Sequence, residues 1–157
     1  MTDLRVAVIG AGLSGLNAAQ QLQRAGCSVV VFDKSRGPGG RLCTRRSESG
    51  GFDHGTPYFH GENEATKRWL DQGIIAQWSG RFGEVNDDGL VEGSAPVQRW
   101  VGIPKMSTIG RWMARDLDVR LSSRIEKLEG KPGQWTLIDT DSHTFGPFDL
   151  VVISCPG

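Results

Sequence analysis

Three glycines, an acid and a second glycine cluster set the chemistry this chain offers. Gly10-Ala11-Gly12-Leu13-Ser14-Gly15 spells GxGxxG, and Asp33 follows 18 residues after Gly15. That spacing suits a diphosphate. Gly10 permits a tight turn, Gly12 removes a Cβ so that a pyrophosphate can approach the backbone, and Gly15 lets a helix pack closely on a strand. Free N–H groups at a helix start, here around Leu13 and Ser14, attract phosphate oxygens together with the helix dipole. Asp33 can accept hydrogen bonds from both hydroxyls of an adenosine ribose, with Lys34 beside it in the same site. Arg36-Gly37-Pro38-Gly39-Gly40-Arg41 comes directly afterwards. Adjacent Gly39 and Gly40 expose main-chain N–H groups, and Arg41 brings a fixed fork of donors for phosphate oxygens.

These residues need elements to hold them. The apolar run Val6-Ala7-Val8-Ile9 reads as a buried parallel strand. Leu13, Leu16, Ala19 and Leu22 recur at helical spacing, and Gly26 ends that helix. Cys27 to Phe32 reads as a second strand with Asp33 at its carboxyl end. Strand, glycine turn, helix, strand and acid thus follow in order, which is the context a dinucleotide motif requires. A second phosphate clamp just after the ribose acid exceeds the needs of a simple NAD domain, and the combination points to FAD.

An acid followed by Gly-Gly-Arg after the second strand resembles the flavin-dependent amine oxidase superfamily. The family's first arginine stands one position later, where this chain has Gly37, which leaves the part of Arg36 open. Phe52-Asp53-His54-Gly55-Thr56-Pro57-Tyr58-Phe59 looks like the family's next landmark, an acid–x–glycine segment, and the resemblance places Asp53, Gly55 and Thr56 near the cofactor. The wording DKSRGPGGR, the stretch from Gln98 to Ser107 and the closing run from Gly146 to Pro156 resemble the renalase-like branch. What the resemblance implies is an FAD enzyme that takes a hydride from isomeric dihydro-NAD(P) and passes electrons to dioxygen, giving hydrogen peroxide. It also implies that main chain around Arg124-Ile125-Glu126 touches the adenine. Ile125 is the candidate, and a plain core role for it is equally open. Amine oxidases and desaturases of the same superfamily, and a nucleotide-binding module without turnover, remain alternatives.

The expected fold class is α/β. A Rossmann-like FAD-binding domain, its parallel sheet joined by a crossover helix and antiparallel additions, spans 1–46 and 119–157. Part of an interleaved α+β substrate domain occupies 47–118. Flavoproteins of this kind are about twice as long, so an amino-terminal portion without a complete active site is expected. Within the insert, Glu62 to Gln72 reads as a surface helix anchored by Trp69-Leu70, and Asn86-Asp87-Asp88-Gly89 as a hairpin turn. Ser107 to Arg115 reads as a helix with Ser107 as its cap. Val119 to Leu128 and Gln134 to Thr140 read as consecutive strands around Gly130-Lys131-Pro132-Gly133, and Leu150 to Ile153 as a buried parallel strand.

Eighteen basic and eighteen acidic residues give zero formal net charge, which argues against a general nucleic-acid or membrane-surface binder. Cys27, Cys43 and Cys155 show no CxxC, so neither a disulfide framework nor a metal site is expected. Cys43 near the phosphate loop has no base beside it in sequence. No apolar run is long enough to span a bilayer, and a strand begins within five residues of the start, so a cytoplasmic location is expected. His54, Tyr58 and His60 cluster beside the acid–x–glycine landmark. His60 is expected on a surface loop, and Tyr58 and Phe59 in an interface. The five tryptophans are too scattered to form a cage; Trp100 is the one placed toward substrate.

Overall fold

The computed structural model describes residues 4–155 apart from 49, 81–82, 88 and 93–97. The chain opens with β1 (Arg5–Ile9), α1 (Leu13–Arg24) and β2 (Ser28–Phe32). It continues with β3 (Thr44–Ser47), β4 (Gly50–Asp53), α2 (Glu64–Asp71), β5 (Ile75–Gln77), β6 (Gly83–Asn86) and β7 (Gly89–Glu92). Then come β8 (Trp100–Gly102), α3 (Ser107–Ala114), β9 (Asp118–Arg120), β10 (Ile125–Lys131), β11 (Gln134–Asp139), β12 (Thr144–Phe148) and β13 (Leu150–Ile153).

A parallel sheet in the order β13-β1-β2-β9 forms the centre. Its side chains alternate between two cores, as the two-residue period of a strand demands. Val6, Val8, Val29 and Val31 face one way, with Leu16 and Ala19 of α1 and Ile109 and Met113 of α3. Ala7 and Phe32 face the other way, toward Leu137 and Phe148 of the antiparallel sheet β10-β11-β12. Leu16 is wholly buried, which is worth about 1.5–3 kcal/mol of apolar transfer. Gln20 Nε2 donates to the Met113 carbonyl at 2.8 Å, and Gln23 Nε2 to the Asp116 carbonyl at 3.0 Å, tying α1 to α3. The result is a doubly covered α/β sheet. Its first strand, helix and second strand match the sequence reading within a residue or two.

Other expectations need correction. Val119 to Leu128 is not one strand. β9 closes the parallel sheet and β10 opens the antiparallel one. Between them Ser122 adopts a φ of 54° where the chain changes layers. β12 was not among the expected strands; it contains Gly146-Pro147, a pair that ordinarily marks a turn. β13 is an edge strand, with Leu150 and Ile153 exposed at 46% and 61%, not a buried one. Trp69 anchors α2 as expected, but Leu70 is turned to solvent. Ser107 is the first residue of α3, not its cap; Met106 takes that position and offers no side-chain cap. β6 and β7 form the expected hairpin, with Asp88 of its turn outside the described residues. Among the described residues, no helix is long and apolar enough to cross a membrane.

Candidate dinucleotide-binding site

The two glycine turns meet at the carboxyl ends of β1 and β2, where ligands bind in open α/β sheets. Gly10 N–H donates to the Phe32 carbonyl at 2.7 Å, with a φ of 108° that favours glycine. The three motif glycines then differ in what a side chain would meet. A Cβ at Gly15 would lie 1.9 Å from the Gly10 carbonyl oxygen, so that residue is bare for helix-on-strand packing. A Cβ at Gly10 would press on the Ser154 carbonyl at 3.0 Å. A Cβ at Gly12 would meet nothing within 4 Å, although its φ of −74° and ψ of 178° suit any residue. Gly12 is therefore bare toward open space.

Helix α1 begins directly after Gly12 with no side-chain cap and no acidic residue in its first turn. The leading N–H groups of the helix thus receive no side-chain cap from the protein, and the positive end of its dipole lies there. Leu13 and Ser14, expected at the phosphates, are both exposed there, while Gly15 is buried.

The second cluster docks on the first. Gly39 N–H donates to the Ala11 carbonyl at 2.7 Å, and a Cβ at Gly40 would stand 3.1 Å from Gly12 Cα. The N–H of Gly39 is thus used inside the protein, which corrects the expectation that both glycines offer theirs. Gly40 N–H has no protein acceptor among the described residues, and neither does the exposed Arg41 guanidinium. Sequence reasoning missed Gly110 of α3, behind this loop. A Cβ there would come within 2.5 Å of Gly39 Cα. Nothing local announces a glycine pair so far apart in sequence.

Asp33 sits at the end of β2 with both oxygens already engaged. Oδ2 accepts from Ala11 N–H at 2.6 Å and Oδ1 from Ser35 N–H at 2.7 Å. Each oxygen keeps a second lone pair for a hydroxyl donor. Lys34 is exposed beside it. The loop after β9 leans on the same turn, with Ser123 N–H donating to the Asp33 carbonyl at 2.9 Å. Ile125 begins β10 two residues further on. The pairing of β10 with β11 shifts register between Ile125 and Lys127, skipping Glu126. Ile125 also packs against the core under the antiparallel sheet, which is the plain core role considered for it.

The acid–x–glycine landmark splits in two. Thr56 N–H donates to the Arg41 carbonyl at 2.8 Å, and a Cβ at Gly55 would lie 2.1 Å from that oxygen. Both are therefore held against the second glycine cluster. The Asp53 side chain turns elsewhere. It accepts from the Thr44 hydroxyl and, at 3.1 Å, from Met106 N–H at the start of α3. The Thr44 and Ser107 hydroxyls lie 3.0 Å apart and complete that junction. Asp53 thus joins the β3–β4 hairpin to α3. His54, unlike what the sequence order showed, brings its ring nitrogens to 3.7 Å from Cys43 Sγ.

The bare Gly12, the uncapped helix and the acid after the second strand stand together at the carboxyl ends of β1 and β2. The fold is a Rossmann-like dinucleotide-binding domain. A family model described as an NAD(P)-binding Rossmann-like domain matches residues 8–72. Hydroxyneurosporene desaturase of Cereibacter sphaeroides is 45% identical over 51 residues, 32% of this chain and 10% of that protein. An L-amino acid oxidase of Bothrops pictus is 48% identical over 48 residues, 31% of this chain and 10% of that protein. Among solved structures, a putrescine oxidase redesigned in cofactor binding superposes with a TM-score of 0.75 at 14% identity. That superposition covers 98% of this chain, which spans 58% of the oxidase's length. The α/β fold seen here is shared with that putrescine oxidase. The renalase-like branch is not singled out by these likenesses.

Proposed function

We propose that this chain supplies the FAD-binding domain of an oxidoreductase. The observation that carries the reading is the open space over Gly12, at the uncapped start of α1 and with Gly40 packed against Gly12. Of the three glycines of the GxGxxG motif, Gly12 alone has room for a ligand over its Cβ position, where a diphosphate bridge would lie. In this reading Asp33 and Lys34 hold the adenosine ribose, and Gly39 locks the second turn onto the first. Main chain at Ile125 borders the adenine. Gly55 and Thr56 carry the 53–60 segment toward the far end of the cofactor, and Asp53 fixes the helix behind it.

Residues 1–46 and 119–157 then build the cofactor domain and 47–118 part of the substrate domain, with α3 of the latter resting on α1. Bound FAD would supply two-electron chemistry, taking up a hydride and returning electrons to dioxygen with release of hydrogen peroxide. The chain's own residues hold the phosphates, orient the ribose and keep the two glycine turns together. The substrate we favour is a reduced nicotinamide dinucleotide of isomeric hydride position, oxidised in the cytoplasm by a renalase-like enzyme. The similarity to a putrescine oxidase and to an L-amino acid oxidase supports amine oxidation as a second reading.

Two measurements test this. A purified protein with the visible absorption of oxidised flavin, and an intact mass showing whether the cofactor is covalent, supports the FAD assignment; a colourless protein that takes up no FAD refutes it. Anaerobic bleaching of the flavin by isomeric dihydronicotinamides supports the favoured substrate, and bleaching by amines alone transfers the case to the second reading.

A further inference from the structure

The segment beyond Thr56 builds a second surface. Phe59 and Trp100 exchange backbone hydrogen bonds of 3.0 and 2.9 Å, and Trp78 N–H donates to the Arg99 carbonyl at 2.8 Å as β5 pairs with β8. Alternate side chains of such a ladder go to opposite faces. Trp100 and Ile75 turn into the core, with Phe59 packed against them. Trp100 is therefore buried at 5% exposure and does not line an open face. Tyr58, His60, Trp78 and Arg99 take the other face. There the Tyr58 ring lies 5.8 Å from Trp78 and 5.2 Å from His60. The Arg99 guanidinium carbon lies 5.3 Å from the Tyr58 ring centre.

The open face of a small antiparallel sheet is ordinarily polar. This one carries three aromatic rings and a cation, and its Trp78 is 42% exposed. It also lies close to the cofactor-binding turns. Thr56 is bonded to the Arg41 carbonyl, and Tyr58 follows two residues later, so about 7 Å of chain at most separates them.

We propose that Tyr58, His60, Trp78 and Arg99 form the substrate-recognition surface and that it takes a planar aromatic anion, a pyridine dinucleotide. A base ring stacks on Trp78 and Tyr58, and Arg99 draws in the phosphates. Stacking on aromatic side chains tolerates any planar base, and a guanidinium beside the rings strengthens anion binding while repelling a protonated amine. This rests on the reduced-nicotinamide reading above and names the groups that would impose it.

The test is calorimetric titration of the FAD-loaded protein with NAD+, with putrescine as the cationic comparison. Trp78→Leu is expected to weaken NAD+ binding about tenfold, the worth of one stacked base, and Trp78→Phe to restore most of it. Arg99→Met is expected to weaken NAD+ binding and to flatten its dependence on salt, while leaving putrescine no weaker. NAD+ affinity unchanged in both Trp78→Leu and Arg99→Met, or no NAD+ binding by the unaltered protein, overturns the proposal. Retained flavin absorbance in each variant shows that the cofactor site is intact. Because equilibrium binding is read without turnover, the surface can fail while isomeric dihydronicotinamides still bleach the flavin. The substrate reading can likewise fail while NAD+ still binds this face.

Discussion

The starts of α1 and α3 are built on one plan and finished differently. In each, an aspartate at a strand end accepts from a backbone N–H where the chain enters a helix: Asp33 from Ala11, just before the cap position of α1, at 2.6 Å, and Asp53 from Met106, in the cap position of α3, at 3.1 Å. At α3 the remaining groups are closed off by protein, because the Thr44 hydroxyl takes the second oxygen of Asp53 and the Ser107 hydroxyl lies against Thr44. At α1 the acid stops at Ala11, no hydroxyl arrives, and the first turn stays uncapped beside a bare Gly12. Helix α2 shows the ordinary local solution, with Asn63 Oδ1 accepting from Thr66 N–H at 3.0 Å and Glu64 in the first turn. The difference teaches that a helix start signals a ligand only where the protein has left it unfinished.

Substitutions can break this comparison, and the largest effect is expected at Gly15. A methyl there would collide with the Gly10 carbonyl, so Gly15→Ala should cost about 3 kcal/mol or more and appear as a lowered urea midpoint. Gly12→Val should change stability by about 1 kcal/mol at most, since its backbone suits any residue and a Cβ there meets nothing within 4 Å, yet abolish flavin retention. A yellow Gly12→Val protein would contradict the phosphate reading.

The two aspartates sharpen the contrast further. Asp33→Ala should weaken FAD binding by about 1.5–3 kcal/mol, the worth of hydrogen bonds to a charged acceptor. Asp53→Ala should instead lower stability by about 1–3 kcal/mol through the orphaned Thr44 and Met106 donors, with a smaller change in the FAD dissociation constant. Equal effects on both quantities in both variants would erase the distinction drawn between the helix starts.

The smallest effect is expected at Asp139, the last residue of β11. Burial alone would raise its carboxyl pKa, but His143 N–H, the His143 ring and Asp141 N–H hold it below the ordinary carboxylate value. A lowered folded pKa contributes stability above the ordinary value and loses it as pH falls through the folded one. Asp139→Asn should therefore remove a small acid-side loss from the stability profile while leaving flavin retention unaltered.

The first strand, helix and second strand were legible because their signals are local: a run of apolar residues, helical spacing and glycines at fixed offsets. The parts that escaped depend on distant pairings. Gly39 looked like a donor of its N–H until Ala11 claimed it, and Gly110 carries no mark of the loop it faces. Ser107 resembles a helix cap by type, but Asp53 arrives from another strand and Ser107 moves inside the helix. Leu150 to Ile153 has the composition of a buried strand, yet only β1 flanks it among the described strands. The aromatic face was invisible for the same reason: Tyr58, Trp78 and Arg99 come from three short segments whose alternation shows only after pairing.

The close fit of Gly110 behind Gly39 bears on how small a transplantable unit can be. Grafting the opening strand, helix and strand into another scaffold would carry over the first turn and its ribose acid. The second turn would arrive without its backstop, because the surface that wedges it in place belongs to a helix encoded much later. Any miniaturised version has to import α3, or rebuild an equally slim support, before the clamp can keep its shape.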